Sequence, residues 1–153
     1  MSEQEIRDKL ESIQRGDVIT VRDEVCEVSD VSDYTLGDFD WRNIGTKKGE
    51  SERILEVFPR KREVRIWLPI SQKRRLTPKM KTVSFALETF TRKEFGTAEV
   101  VISQTGEGPE KYEIDYSVLH APSGHRLSVE DDGGDISIYY SNEVISLADI
   151  QIK

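Results

Sequence analysis

Residues 125–140, HRLSVEDDGGDISIYY, contain two short alternating runs on either side of a glycine pair. Leu127 and Val129 alternate with polar residues before the pair, and Ile136 and Ile138 do so after it. Alternation with a period of two is typical of a strand with one buried face. A glycine pair between two such runs favours a two-residue hairpin turn. We therefore expect a β-hairpin whose four apolar side chains face the core.

The same stretch is acidic at residues 130–135, which raises the alternative of a cation site. A calcium-binding EF-hand loop alternates its oxygen ligands and ends in a glutamate at position 12. Residues 130–135 lack that alternation, and the twelfth residue counted from Asp131 is Asn142. We interpret the acids as side chains that solvate the tip of the turn, and we expect no metal.

Alternation continues through most of the chain after Gly16, in runs listed here by number: 18–21, 25–28, 53–58, 63–68, 82–90, 98–103, 111–119, 126–129 and 136–140. We interpret residues 29–52 as polar and glycine-rich turns around an aromatic stretch. The sequence predicts a mainly β fold, a small antiparallel barrel or sandwich.

The N-terminus differs, because it has helical spacing. Ser2 and Glu5 are placed for a capping box. Apolar residues then recur at Ile6, Leu10 and Ile13. We predict an amphipathic helix over residues 3–14 that lies across the sheet.

The two halves of the chain show an internal likeness, in which an alternating pair precedes an aromatic strand and a strand with a central leucine. It matches Phe39–Trp41 with Ile114–Tyr116, and Trp67–Ile70 with Arg126–Val129. We expect a helix and two β-units, which repeat one another or form one compact domain: 1–15, 16–80 and 81–153.

Charge is abundant and unevenly distributed. Charged residues make up 33% of the chain and the net charge is −7, which argues against attraction of the whole protein to nucleic acid or anionic membrane. No run approaches the ~18–20 apolar residues of a membrane span, and the N-terminus has no apolar signal core. We expect a cytoplasmic protein without a membrane span.

Residues 60–81 are strongly basic, with nine Lys or Arg against one acid, Glu63. Guanidinium groups beside an exposed indole would hold phosphate and stack a base. Tryptophan in an alternating strand, as at Trp67, is more often a core anchor, and the bases could pair with acids elsewhere. The candidate binding residues are Arg60, Lys61, Arg62, Arg65, Trp67, Lys73, Arg74 and Arg75.

Catalytic signatures are missing from the sequence, which has no GxSxG, Walker loop, GxGxxG or HExxH motif. We nominate no catalytic residue and no cofactor. His120 and His125 flank a turn and could begin a metal site, but a closed zinc site usually needs four ligands. We interpret both as exposed histidines beside a turn.

These observations favour a non-enzymatic binding module whose basic strip (60–81) and acidic body engage a protein partner or a second copy of the chain. An alternative is a nucleic-acid-binding protein that uses the basic segment. A third hypothesis is a small hydrolase-like enzyme with carboxylate or histidine chemistry in a barrel mouth. The third requires a deep pocket that converges on ionisable groups.

Three stretches resemble the family called domain of unknown function 4178: Gly16–Ile19, Phe39–Trp41 and Leu127–Gly133. The tryptophan that the family pattern places before Leu127 is Arg126 here. The resemblance implies a small β-domain without an established reaction, and it supplies no catalytic residues.

Overall fold

The computed structural model describes residues 1–58, 61–71, 75–102 and 110–152. An N-terminal helix, α1, spans Glu3–Glu11, and a 3-10 helix spans Leu147–Asp149. The strands are β1 Val18–Val21, β2 Glu24–Leu36, β3 Phe39–Lys48, β4 Ser51–Val57, β5 Glu63–Ile70, β6 Thr82–Phe85, β7 Glu88–Ile102, β8 Glu110–His120, β9 Arg126–Asp131, β10 Ile136–Ser146 and β11 Ile150–Ile152. The mainly β prediction is confirmed.

All pairings in the described part of the chain are antiparallel and join the strands into one sheet, in the order β11-β1-β2-β3-β4-β5-β10-β9-β8-β7-β6. A further pairing joins residues 32–35 of β2 to residues 99–102 of β7. Strands β2, β3, β4, β5, β10, β9, β8 and β7 therefore form a ring. A ring hides the hydrogen-bonding edges that an open sheet would expose.

Helix α1 begins as the sequence predicts. Ser2 is the N-cap, and it forms the capping box with Glu5. The helix ends at Glu11 rather than at residue 14, and Arg42 binds that end by donating to the carbonyl oxygens of Leu10 and Glu11 at 3.0 and 2.6 Å. A cation at a helix C-terminus is favourable because the last carbonyls carry partial negative charge.

Apolar side chains form three separate clusters. The helix cluster packs α1 against strands β1 to β5, β10 and β11, and includes Leu10, Ile44 and Leu55. The hairpin cluster packs β6 and residues 76–80 against β8, β9 and β10 around Phe90. The third cluster, around Trp41, lies between β2, β3, β7 and β8. Along the strands of the ring, the buried residues of the helix cluster and the hairpin cluster alternate with residues that face the inside of the ring. These two clusters therefore cover the outer face of the ring.

The hairpin of residues 125–140 is confirmed. Gly133 has a φ of +95°, a conformation that glycine adopts without strain. Asp131 and Asp132 side chains accept hydrogen bonds from the backbone of the turn. Leu127, Val129 and Ile138 are buried, and Ile136 packs beside them.

Two other strand predictions were wrong. Residues 29–52 are not mainly turns, because β2 continues to Leu36 and β3 spans Phe39–Lys48. Polar residues are frequent in both segments, and this composition is shared by turns and by the polar faces of strands. The single strand predicted over residues 82–90 is two strands, because Ala86 and Leu87 adopt φ values of +50° and +62°. Residues other than Gly, Asn and Asp seldom adopt positive φ, so neither Ala86 nor Leu87 signals a turn in the sequence.

The halves of the sheet repeat one arrangement. Strand β1 pairs with the start of β2 in four residue pairs around Arg22 and Asp23, and β6 pairs with β7 likewise around Ala86 and Leu87. All four of these turn residues have positive φ. The second strand of each half contains a bulge, in β2 at residues 28–30 and in β7 at residues 92–94.

The sequence likeness matched equivalent strands in one case, because it paired Phe39–Trp41 of β3 with Ile114–Tyr116 of β8, but it was wrong in the other. It paired Trp67–Ile70 of β5 with Arg126–Val129 of β9. The strand order makes β5 equivalent to β10, since each is the fifth strand of its half. The match followed a shared leucine in two alternating strands, a pattern that any strand of this sheet can show.

Two phenylalanines of β7 allow a test of which of its side chains are buried in the fold. Phe90 is fully buried in the hairpin cluster, whereas Phe95 is 63% exposed. We expect Phe90→Ala to lower the free energy of unfolding by about 3–5 kcal/mol, because it leaves a cavity. The matched Phe95→Ala should change it by about 0.5 kcal/mol or less. Urea denaturation measures both, and equal losses would contradict the assignment.

Candidate functional site

The inside of the ring contains a cavity of about 160 Å³. Residues from all eight ring strands line it. Phe39 and Val144 in this lining are 50% and 37% exposed, so the cavity opens to solvent beside them. Ionisable and aromatic side chains dominate the lining, in contrast to the aliphatic clusters on the outer face of the ring.

Glu130 lies inside this cavity. It belongs to the acidic stretch 130–135, and the sequence prediction that this stretch solvates the turn is wrong for Glu130. Alternation along β9 directs Glu130 inwards, on the face opposite to Leu127 and Val129. The Tyr34 hydroxyl donates to Glu130 Oε1 at 2.9 Å. Burial, with repulsion from Glu56, raises the pKa of Glu130 to about 7.

Glu56 occupies the equivalent position in the first half. It is paired in register with Asn43 of β3, as Glu130 is paired with Tyr116 of β8. The Trp67 indole nitrogen donates to Glu56 Oε2 at 3.1 Å. Burial raises the pKa of Glu56 to about 7, although the hydrogen bond from Trp67 opposes the rise.

Two guanidinium groups share another part of the cavity. Arg65 Nη1 donates to Ser141 Oγ at 3.2 Å, and Arg126 is the register partner of Ser141 on the neighbouring strand. Ser141 is fully buried. Burial lowers the pKa of Arg65, and the charge of Arg126 lowers it further.

His120 and His125 do not come together, and neither is simply an exposed residue beside a turn. His120 Nε2 is buried and lies 3.7 Å from Glu94 Oε2. Its pKa is lowered by burial and by Arg126. His125 packs against Tyr140 of the hairpin cluster, and its Nδ1 lies 2.8 Å from Glu88 Oε2.

Glu88 also accepts a short hydrogen bond from Ser123. Ser123, Glu88 and His125 have the residue types of a catalytic triad but not its order. The serine contacts the carboxylate instead of the imidazole, so the histidine is not placed to take the serine proton.

The predicted binding residues fall into three groups. Lys61, Arg65 and Trp67 line the cavity, and Trp67 is only 4% exposed. Arg62 is exposed and forms an ion pair with Glu3 of α1 at 2.9 Å, and Arg75 is exposed. Arg60, Lys73 and Arg74 lie outside the described residues.

Sequence reasoning missed the principal acids and aromatic residues of the cavity. Glu56 and Glu130 each occupy a polar position of an alternating run, which faces solvent in an open sheet. Tyr34 lies in the stretch 29–52, for which the sequence analysis predicts turns. The missing signal was the closure of the sheet, which turns that face of each strand into the cavity wall. The available sign was a surplus of large aromatic residues on the polar face, such as Tyr139 beside Ser128.

The raised pKa of Glu130 makes stability depend on pH. Between pH 4.5 and 7 the folded protein binds more protons at this site than the unfolded chain, so the free energy of unfolding falls as pH rises. Other ionisable groups that face it are Glu56, Tyr34, Tyr112 and Tyr139. We expect Glu130→Gln to remove this loss, which stabilises the variant relative to the wild type by about 1–3 kcal/mol at pH 8 and little at pH 4.5.

Denaturant unfolding between pH 4.5 and 8 measures this difference. The matched control is Glu113→Gln on β8, an exposed position where the change should stay within about 0.5 kcal/mol. A Glu130→Gln variant that loses stability equally at both pH values would show that the carboxylate is ionised and needed in the fold.

Among the described residues, no group of three or more His, Cys, Asp or Glu side chains is arranged to hold a metal ion. No helix in the described ranges is long and apolar enough to cross a membrane.

Neither a curated protein nor a solved structure matches the chain. The model of one family, Domain of unknown function (DUF4178), matches residues 14–146. Because that match covers most of the chain, the protein belongs to the DUF4178 family.

Proposed function

We propose that the protein is a non-enzymatic binding module that holds a small polar ligand inside the ring of strands. The supporting observation is the lining of the cavity. An eight-stranded barrel is just wide enough for side chains to fill its interior or to hold one small ligand. Here the interior keeps about 160 Å³ of open space among charged and aromatic side chains.

The contrast with the outer face strengthens this proposal. Burial of a carboxylate disfavours its ionised form, so Glu56 and Glu130 oppose folding at neutral pH. Apolar residues at these positions would relieve that opposition, as the helix cluster shows on the outer face of the same strands. Ionisable groups kept in a cavity at a cost in stability are characteristic of functional sites.

Tryptophan fluorescence tests the proposal directly. The chain has two tryptophans, Trp41 and Trp67, and both line the cavity. We expect a compound that enters the cavity to change their emission during titration of a fragment library. Ser128→Leu should weaken that compound at least tenfold, because it adds apolar volume to the cavity wall.

The control for Ser128→Leu is Ser51→Leu, the same substitution at an exposed position of β4. It should leave the titration unchanged. A library without any compound that alters the emission, or binding that Ser128→Leu leaves intact, would contradict a ligand site inside the ring.

The pKa values near 7 of Glu56 and Glu130 also favour a second candidate, general acid–base catalysis by a small hydrolase-like enzyme. Its expected result is turnover of a bound compound that is lost in both Glu56→Gln and Glu130→Gln. Binding of the compound without turnover supports the non-enzymatic module instead.

The basic segment supports a separate role in protein association. Its described exposed bases are Lys61, Arg62, Arg75, Lys79 and Lys81, on a protein of net charge −7. Such a strip would attract an acidic partner or the acidic face of a second copy. Sedimentation should then show association at low salt that disappears at high salt, because salt screens surface charge. A monomer at both salt concentrations would argue against self-association.

A further inference from the structure

We propose that the ligand of the cavity is a zwitterionic α-amino acid, with its ammonium group at Glu56 and Glu130 and its carboxylate at Arg65 and Arg126. This inference rests on the proposed binding function and names the class of ligand. The evidence consists of two groups of oppositely charged side chains in one cavity, neither of which, among the described residues, contains an ion pair shorter than 4.0 Å.

The negative pole consists of the two equivalent glutamates. Each has one hydrogen bond from an aromatic side chain, from Trp67 to Glu56 and from Tyr34 to Glu130. Within the described ranges, no Lys, Arg or His nitrogen lies within 4.0 Å of either carboxylate. This pole therefore has the acceptors and the charge for an ammonium group but no protein cation in contact.

Asn43 extends the negative pole. Its side-chain oxygen is buried, and among the described residues it has no hydrogen-bond partner. Asn43 is the register partner of Glu56 and also lines the cavity. A buried acceptor without a donor costs free energy, so a ligand N–H at this point would be stabilising.

The positive pole consists of Arg65 and Arg126 beside Ser141. In the part of the chain that the structure describes, neither guanidinium lies within 4.0 Å of a carboxylate. Arginine presents a planar fork of donors that matches a carboxylate. Two neighbouring forks repel each other, and a ligand carboxylate between them would replace that repulsion with attraction.

The two poles adjoin one another. Glu56 and Arg65 are register partners on β4 and β5, so their Cα atoms are separated by roughly 5 Å. A ligand that contacts both poles must therefore carry opposite charges close together. The ammonium and carboxylate of an α-amino acid are attached to a single carbon and meet that requirement.

The presence of both charges in the lining also favours a zwitterion over a ligand that carries a single charge. The charged lining residues are Glu56, Glu63, Glu94, Glu130, Lys61, Arg65 and Arg126. A simple cation would satisfy the glutamates but would be repelled by the arginines, and a simple anion would have the reverse problem. A zwitterion gains attraction at both poles.

The size of the cavity limits the rest of the ligand. A dry engineered cavity of roughly 150 Å³ holds a benzene molecule. The cavity here, about 160 Å³, suits an amino acid with a small or medium side chain. Ile54 and Ile114 provide apolar wall for that side chain.

The first test is a fluorescence titration with the standard L-α-amino acids, one at a time. For the tightest binder, we expect its N-acetyl derivative and its α-amide each to bind at least tenfold more weakly, since each loses one charge. A derivative that binds as well as the free amino acid, or butylamine or butyrate that binds as tightly, would overturn the zwitterion.

The second test assigns each charge to its pole. Glu56→Gln should weaken the free amino acid at least tenfold but leave its N-acetyl derivative unchanged, because that derivative has no ammonium group. Arg126→Gln should weaken the free amino acid and leave the α-amide unchanged. The exposed Glu113→Gln is the control and should affect neither compound. Losses that do not follow this pattern would overturn the assignment.

The outcomes separate the two proposals. If fragments that carry no zwitterion change the emission of Trp41 and Trp67 while every amino acid leaves it unchanged, the amino-acid inference fails and the binding function stands. If neither fragments nor amino acids change the emission, both fail.

Discussion

The pairing of β2 with β7 is the contact on which the rest of the structure depends. Strands β2 and β7 are long enough to pair with two partners on the same edge, first with β1 or β6 and then, through residues 32–35 and 99–102, with each other. Without that pairing the eleven described strands would form an open sheet whose polar side faces solvent. With it, eight of them enclose a space, and polar residues that would contact bulk water face one another.

Enclosure changes the chemistry of ordinary side chains. A glutamate on an open sheet would remain ionised at neutral pH, whereas the pKa of Glu56 and of Glu130 rises to about 7 inside the ring. The cause is loss of hydration, which penalises the charged form. Two aromatic donors, Trp67 and Tyr34, hold these carboxylates in place without neutralising them.

The repeated arrangement of the halves explains why the acids occur as a pair. Equivalent register on β4 and β9 places Glu56 and Glu130 at matching points of the wall. Their surroundings differ, since Arg65 on β5 corresponds to Ser137 on β10. The symmetric frame therefore carries an asymmetric set of charges, with the guanidinium groups on one side of the cavity. A ligand bound there would have one preferred orientation.

The sequence by itself determined the local structure: the capping box at Ser2, the turn at Gly133 and the placement of Leu127 and Val129 on one face of their strand follow from interactions and periodicity within a few residues. It also indicated the family, since short motifs of residues 16–133 carry the resemblance. Tertiary structure alone decided what the polar face of each strand does. The alternation that buries Leu127 is the same whether Glu130 faces water or a cavity, because the period of a strand is local, whereas closure depends on contacts between residues far apart in the chain.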